Sequence, residues 1–230
     1  MKPSPVITID GPAGSGKSTT AREVARRLGF NHLDSGSLYR GLTLAVLGAG
    51  IPEESWDRLD RATVARLDVA LAPTGGGFRV LVNGSDPGEA LRSPEVTRLS
   101  PHIARNPRVR EKLGELQRSA RAFGGVVADG RDMGTVVFPD AVLKVFLTAS
   151  LDERSRRRLA QDGRPLDQAS VASEGQAIRA RDEADAGRAV GPLRRPDGAL
   201  VIDTTSLSFE SQVQRIVDAA TGLTAQVREE

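Results

Sequence analysis

The chain has 230 residues, enough to bury the core of one α/β domain carrying insertions or of two small domains. It has no cysteine, which excludes a disulfide scaffold and thiolate-bound zinc, and no apolar run approaches membrane-spanning length. The formal net charge is only +2 and aromatic residues make up 3%, too few for base-stacking platforms, so neither nucleic acid nor a membrane is an expected partner. Only Met1–Pro5 precede the first strand, so no signal peptide and a cytoplasmic location are expected.

In chain order the first strong feature is Val6-Ile-Thr-Ile-Asp10, an apolar β-branched run. It leads into Gly11-Pro12-Ala13-Gly14-Ser15-Gly16-Lys17-Ser18-Thr19 and a helical stretch from Ala21 to Leu28. This is the strand–G-x-x-x-x-G-K-[ST]–helix context of a phosphate-binding loop. Its glycines let backbone N–H groups turn toward phosphate oxygens, and the helix adds the partial charge of its N-terminus. Gly11 to Thr19 are expected to hold ATP, with Lys17 on the β- and γ-phosphates and the Ser18 hydroxyl on Mg²⁺.

Asn31–Asp34 read as a short return to the sheet. Asp34-Ser-Gly-Ser37 offers N-cap residues for a helix over about Leu38–Leu47, with Tyr39 and Arg40 in its first turn near the mouth of the sheet. Pro52 is expected to open a helix reaching Leu67, with Trp56 and Leu59 on its apolar stripe. The period then drops to two: Asp68–Ala72 and Phe78–Asn83 form a hairpin, and Glu89–Arg92 is expected as a third strand. Ile51 to Leu99 thus reads as an insertion. Helices resume over about Pro94–Arg105 and Pro107–Phe123. Val126–Asp129 and Ala141–Leu147 are strands, and Ser150-Leu-Asp-Glu153 is a capping box opening a basic helix that ends at Gln161–Pro165. A polar helix over Gln168–Ala186, a strand at Leu200–Asp203 and a helix over Ser208–Ala219 complete the chain. Apart from the insertion, this alternation predicts an α/β fold with a mostly parallel sheet covered on both faces.

Asp129 ends an apolar strand, as an acid does when it holds a magnesium shell beside a phosphate loop; capping the next turn is the alternative. Arginine far outnumbers lysine, so arginines inform only where a motif or a helical face selects them. Arg154, Arg157 and Arg158 share one face of the basic helix, and Arg181, Asp185 and Arg188 fall within roughly 60° on the next, although a solvated basic helix has the same spacing. His32 and His102 sit in no base motif and read as structural. A hydroxyl acceptor needs a base, for which Asp34 is the best candidate, whereas a phosphate acceptor is already ionised and needs its charge offset. One guanidinium at about 4 Å supplies a Coulomb attraction of roughly 4 kcal/mol at an effective dielectric of 20, before desolvation. Arginines and Mg²⁺ suit that task. A hydroxyl kinase and a nucleic-acid binder remain as alternatives, while a GTPase switch lacks its N-K-x-D motif here.

The chain resembles the bacterial cytidylate kinase family, long form, among the P-loop nucleoside monophosphate kinases. The resemblance is carried by Ile9–Ser18, Leu33–Arg40, Pro107–Arg110, Ala128–Pro139, Arg181-Asp182, Asp185, Arg188 and Pro192-Leu193, and spans essentially the whole chain. It implies a P-loop NTPase-type three-layer fold in one kinase domain, 1–230. The core would be 1–50, 100–150 and 169–230, with an antiparallel NMP-binding insert at 51–99 and a short helical lid at 151–168. It implies Mg²⁺-dependent transfer of the ATP γ-phosphate to CMP or dCMP by a cytoplasmic monomer. Residue by residue, Ser35, Arg181 and Asp185 would meet the acceptor's sugar, and Arg40, Arg131 and Arg188 its phosphate. Arg110 and Asp132 would read the cytosine, with Tyr39 beside them and Ser100 standing in for a family serine at Pro101. Arg154, Arg157 and Arg158 would close on ATP. Lys17, Arg131, Arg158 and Arg188 would carry the catalysis.

Overall fold

The computed structural model describes residues 4–229, and the side chains of residues 4–223. The outermost positions of the expected 1–230 domain, 1–3 and 230, lie outside the described residues. In chain order the elements are β1 (Val6–Asp10), α1 (Lys17–Leu28), β2 (Asn31–Asp34), α2 (Ser35–Gly48), α3 (Arg61–Arg66), β3 (Val69–Thr74) and β4 (Gly77–Val82). Then come α4 (Pro94–Ile103), α5 (Pro107–Ser119), β5 (Val126–Gly130), β6 (Leu143–Thr148), α6 (Leu151–Gln161), α7 (Gln168–Ala186), β7 (Leu200–Asp203) and α8 (Phe209–Glu229).

The strands form one seven-stranded sheet in the order β3-β4-β2-β5-β1-β6-β7, parallel throughout except for the β3–β4 hairpin. The central strands are apolar on both sides because both faces are covered. Val126 and Ala128 of β5 enter a core with Leu38, Leu42, Trp56 and Leu113, while Val127, Ile7 and Ile9 enter a second core with Val24, Val213 and Ile216. The result is the three-layer α/β architecture expected. Register places Asp129 opposite both Ile9 and Asp34, so Asp10, Asp34 and Asp129 collect at the carboxyl edge of the sheet. That edge is where a parallel sheet opens a crevice.

Two local expectations are corrected. The helix expected from Pro52 to Leu67 is a 3-10 turn at Glu53–Arg58 followed by the short α3. Asn106 accounts for the break: its Nδ2 donates to the Trp56 and Leu59 carbonyls at 2.9 and 3.0 Å, satisfying acceptors that a continuous helix would bond to amides one turn on, and Asp60 then caps Thr63 N at 2.7 Å. Glu89–Arg92 is not a strand but part of a 3-10 turn, Gly88–Arg92, begun by a Gly88 amide that donates to Asp86 Oδ1 at 2.9 Å. The β3–β4 hairpin does not stand apart; it extends the main sheet through the pair His32 and Gly77. Helix α2 lies across it at Gly41, where a Cβ would come within 2.6 Å of Val80 Cγ1. Among the described residues, no helix is long and apolar enough to cross a membrane.

Candidate active site

A cleft of about 540 Å³ opens above the carboxyl edge, with the β1–α1 loop on one wall and residues of α2, α5, α7 and the turn after β5 on the others. On the loop wall, Ala13, Gly14, Gly16, Lys17, Ser18 and Thr19 line the cleft, whereas Gly11, Pro12 and Ser15 do not. Pro12 O accepts from Lys17 Nζ at 3.0 Å. Ser18 Oγ donates to Asp129 Oδ2 at 2.5 Å, and the other oxygen of that carboxylate lies 2.7 Å from His32 Nε2. Asp129 thus stands beside the loop serine with its orientation set from behind by a histidine.

On the opposite wall, cations and carboxylates interleave. Arg131 Nε donates to Asp185 Oδ2 at 2.7 Å, and Arg188 donates to Asp185 Oδ1. Burial alone would raise Asp185, but Arg131 and Arg188 outweigh it and hold the carboxyl below its ordinary range. Arg110 pairs with Asp132, donates to Ala104 O at 3.2 Å and lies over the Tyr39 ring at 5.4 Å from its centroid. Arg40 donates to Asp34 Oδ2 at 3.0 Å and to Ser37 Oγ at 2.8 Å. Ser35, Ser100, Arg158 and Arg181 also line the cleft. Ser100 Oγ spends its proton on Val96 O at 2.6 Å, one turn back in its own helix.

Positive charge in this cleft exceeds its local compensation. Lys17 is pushed down to about 7, first by burial and then by the Arg131 and Arg181 guanidinium groups, with Asp129 and Asp185 only partly offsetting them. Arg181 is pushed down to about 10 by burial and by Arg131, and burial also lowers Arg188. Such groups favour an anionic occupant, which stabilises their charged forms. A measurable consequence follows from the sign. Above pH 7 the free protein lacks the Lys17 proton and the polyphosphate complex holds it, so binding takes up about one proton and affinity falls with rising pH. Calorimetric titration at pH 8.5 in buffers of different ionisation enthalpy should show this uptake; Lys17→Met should abolish it.

Of the residues expected to act together, Lys17, Ser18, Ser35, Tyr39, Arg40, Ser100, Arg110, Asp129, Arg131, Asp132, Arg158, Arg181, Asp185 and Arg188 share this one cleft. Arg154 and Arg157 are turned elsewhere. Arg154 Nη1 donates to Ala13 O at 2.9 Å, and Arg157 donates to Thr204 Oγ1 at 2.9 Å and to Thr204 O at 2.6 Å. Three arginines on one helical face diverge because each stem is long enough to follow the nearest acceptor. Arg92, from the turn after the hairpin, also lines the cleft and lies 3.8 Å from Asp34. Asp10 is a further site residue: buried at the end of β1, it accepts the Met133 and Gly134 amides at 2.9 and 2.7 Å. It thereby fixes the turn that presents Arg131 and Asp132, and burial pushes its pKa up to about 7. Its one sequence signal is the feature that marks Asp129, a carboxylate closing an apolar strand. His102 sits between Glu53 and Asp57 beside the Trp56 ring, a structural position.

A glycine-rich loop at the edge of a parallel sheet, facing a wall of arginines, defines a P-loop nucleotide kinase. A sequence profile described as cytidylate kinase matches residues 7–222. The cytidylate kinase of Stutzerimonas stutzeri (strain A1501) is 47% identical over 94% of this chain and 95% of its own. Those of Pseudomonas savastanoi pv. phaseolicola and Pseudomonas aeruginosa (strain UCBPP-PA14) are 46% and 44% identical, each over 93% of this chain and 94% and 93% of their own. The chain belongs to the cytidylate kinase family.

Proposed function

We propose that the protein transfers the γ-phosphate of ATP in line to CMP or dCMP, giving ADP and the nucleoside diphosphate. The observation that carries this reading is the set of cations gathered in one cleft, with Lys17 on the phosphate loop and Arg131, Arg181 and Arg188 on the facing wall. Two polyanions repel at reacting distance, and a cleft short of negative charge is built to offset that repulsion. Lys17 takes the β- and γ-phosphates, Arg131 and Arg188 meet the acceptor phosphate and the transferring group, and Arg40 binds the acceptor phosphate from α2. Ser35, Arg181 and Asp185 hold the sugar. Arg158 faces the cleft from α6 and closes on ATP; Arg154 and Arg157 join it only by leaving the partners just described.

Mg²⁺ fits the residues present. Ser18 Oγ and Asp129 Oδ2 are two hard oxygen donors 2.5 Å apart at the loop, and among the described residues no cluster of three or more acids or histidines forms an all-protein cage. Magnesium in nucleotide sites takes few protein ligands and completes its shell with water and phosphate. Held by Ser18 and Asp129, Mg²⁺ would supply positive charge to offset the charge developing on the transferred phosphoryl group. The protein's part is to hold Ser18 and Asp129 in place, the latter through His32. The insert 51–99 and lid 151–168 are the parts proposed to close, excluding water that would otherwise hydrolyse ATP. A cytoplasmic monomer with no nucleic-acid or membrane partner belongs to the same proposal.

Base choice rests on Arg110 and Asp132. A carboxylate accepts from the cytosine N4 amino group, whereas uracil presents a carbonyl there and leaves both acceptors unpaired, at about 1–3 kcal/mol or more. Asp132→Asn should therefore narrow the CMP-to-UMP ratio of kcat/KM by about tenfold or more. A coupled assay over CMP, dCMP, UMP, AMP and GMP tests the function itself. No turnover of either cytidine nucleotide with Mg·ATP overturns the reading, and an unchanged ratio in Asp132→Asn removes that residue from base recognition.

A further inference from the structure

We propose that Asp182 is a positioning residue that sets the phosphate loop from the helix carrying the acceptor's ligands, so that occupancy of one substrate site tunes affinity at the other. The proposal rests on the reading of the cleft as facing donor and acceptor sites. Both backbone polar groups of Ala13, at the apex of the loop, are held by side chains from elsewhere. Ala13 N donates to Asp182 Oδ1 at 2.9 Å, and Ala13 O accepts from Arg154 Nη1 at 2.9 Å. The same Nη1 pairs with Asp182 Oδ2, and Arg154 Nε is anchored on Ala149 O at 3.1 Å. Helix α6 presses on the loop as well: a Cβ at Gly14 would come within 3.0 Å of the Arg154 carbonyl oxygen.

Asp182 and Arg154 are not among the residues lining the cleft; their polar atoms are engaged with each other and with the loop backbone. Both are largely withdrawn from water, at 18% and 11% side-chain exposure. Within that setting, removing one partner leaves the other an uncompensated charge, and the pair acts as a unit. Asp182 lies on α7 within one turn of Arg181 and Asp185, and Asp185 is bound to Arg131 and Arg188. A rotation or shift of α7 that reseats Arg181 and Asp185 on an acceptor therefore moves Asp182, and with it the Ala13 peptide groups. Linkage makes the effect reciprocal: if the donor tightens acceptor binding, the acceptor tightens donor binding by the same factor.

The test is calorimetric titration of CMP into the whole protein with and without a saturating non-hydrolysable ATP analogue and Mg²⁺. In the wild type the analogue should tighten CMP binding by at least about fivefold, the lower end of typical site coupling. Asp182→Ala and Arg154→Met should each bring that factor to within about twofold of unity, and the double variant should lose no more than either. A merely structural role would weaken both affinities and leave their ratio in place. Thermal melts report folding, and Asp182→Asn, which keeps an acceptor for the Ala13 amide without the charge, replaces a single variant that does not fold. Wild-type coupling retained in the variants, additive losses in the double variant, or no coupling in the wild type overturns the proposal. Wild-type protein that binds no CMP overturns the cytidylate reading instead, so the two failures are distinct.

Discussion

Replacing Arg131 with Met is expected to lower kcat for CMP by about a thousandfold or more while leaving a folded protein, because an arginine on a transferring phosphoryl group supplies 10³–10⁵ in rate. Arg131 reaches the cleft from the turn after β5 and is 15% exposed at its side chain. It is the strongest charge acting on Lys17 after burial itself. Its guanidinium thus lies in the cleft near Lys17, paired with Asp185 on the wall opposite the loop, where the proposed function needs an arginine. Asp185 keeps Arg188 as a partner when Arg131 is lost, so the variant leaves no wholly unpaired carboxylate. Coupled-assay kinetics with a thermal melt check this. A variant whose kcat stays within about tenfold of wild type would remove Arg131 from the transfer step.

Lys17→Met should cost about 10²–10³ in kcat/KM for ATP, the scale of removing one preorganised donor from a developing charge. Its effect on stability has the opposite sign. The ammonium group is buried with its pKa pushed down to about 7, so at lower pH the folded protein carries a desolvated charge that the unfolded chain carries in water. Between pH 7 and the ordinary lysine range the unfolded state binds more protons, and wild-type stability rises with pH. The Met variant lacks that slope. It should therefore melt higher than wild type at pH 6, with the difference shrinking as pH climbs above 7. Equal melting temperatures at pH 6 would mean that Lys17 is better solvated than its burial indicates.

What the sequence reveals here is what local chemistry determines. The phosphate loop needs its glycines, lysine and serine in one contiguous run, so its position is readable to the residue, and the apolar strands around it follow from β-branched runs. Asp129 was legible because it ends such a run. The breaks in the pattern depend on partners far along the chain: Asn106 undoes the helix expected at Pro52–Leu67 by capturing two of its carbonyls from 47 and 50 residues away. Asp10 and Asp182 serve as acceptors for backbone amides 123 and 169 positions distant, and no spacing rule registers such contacts. Arg154, Arg157 and Arg158 show the limit of helical periodicity. It fixes the face from which a side chain departs, while the far end of an arginine goes wherever carbonyls and carboxylates draw it.

His32 joins the hairpin to the parallel strands through its backbone and to Asp129 through its ring. Its main-chain N–H takes the Gly76 carbonyl at 3.0 Å, at the one register pair where the hairpin is stitched to the parallel strands. Its ring grips the carboxylate that closes β5. The seam and the brace are thus the same residue. Peeling the hairpin outward should slacken the hold on Asp129, and amide exchange at that seam becomes a gauge of how firmly its carboxylate is held.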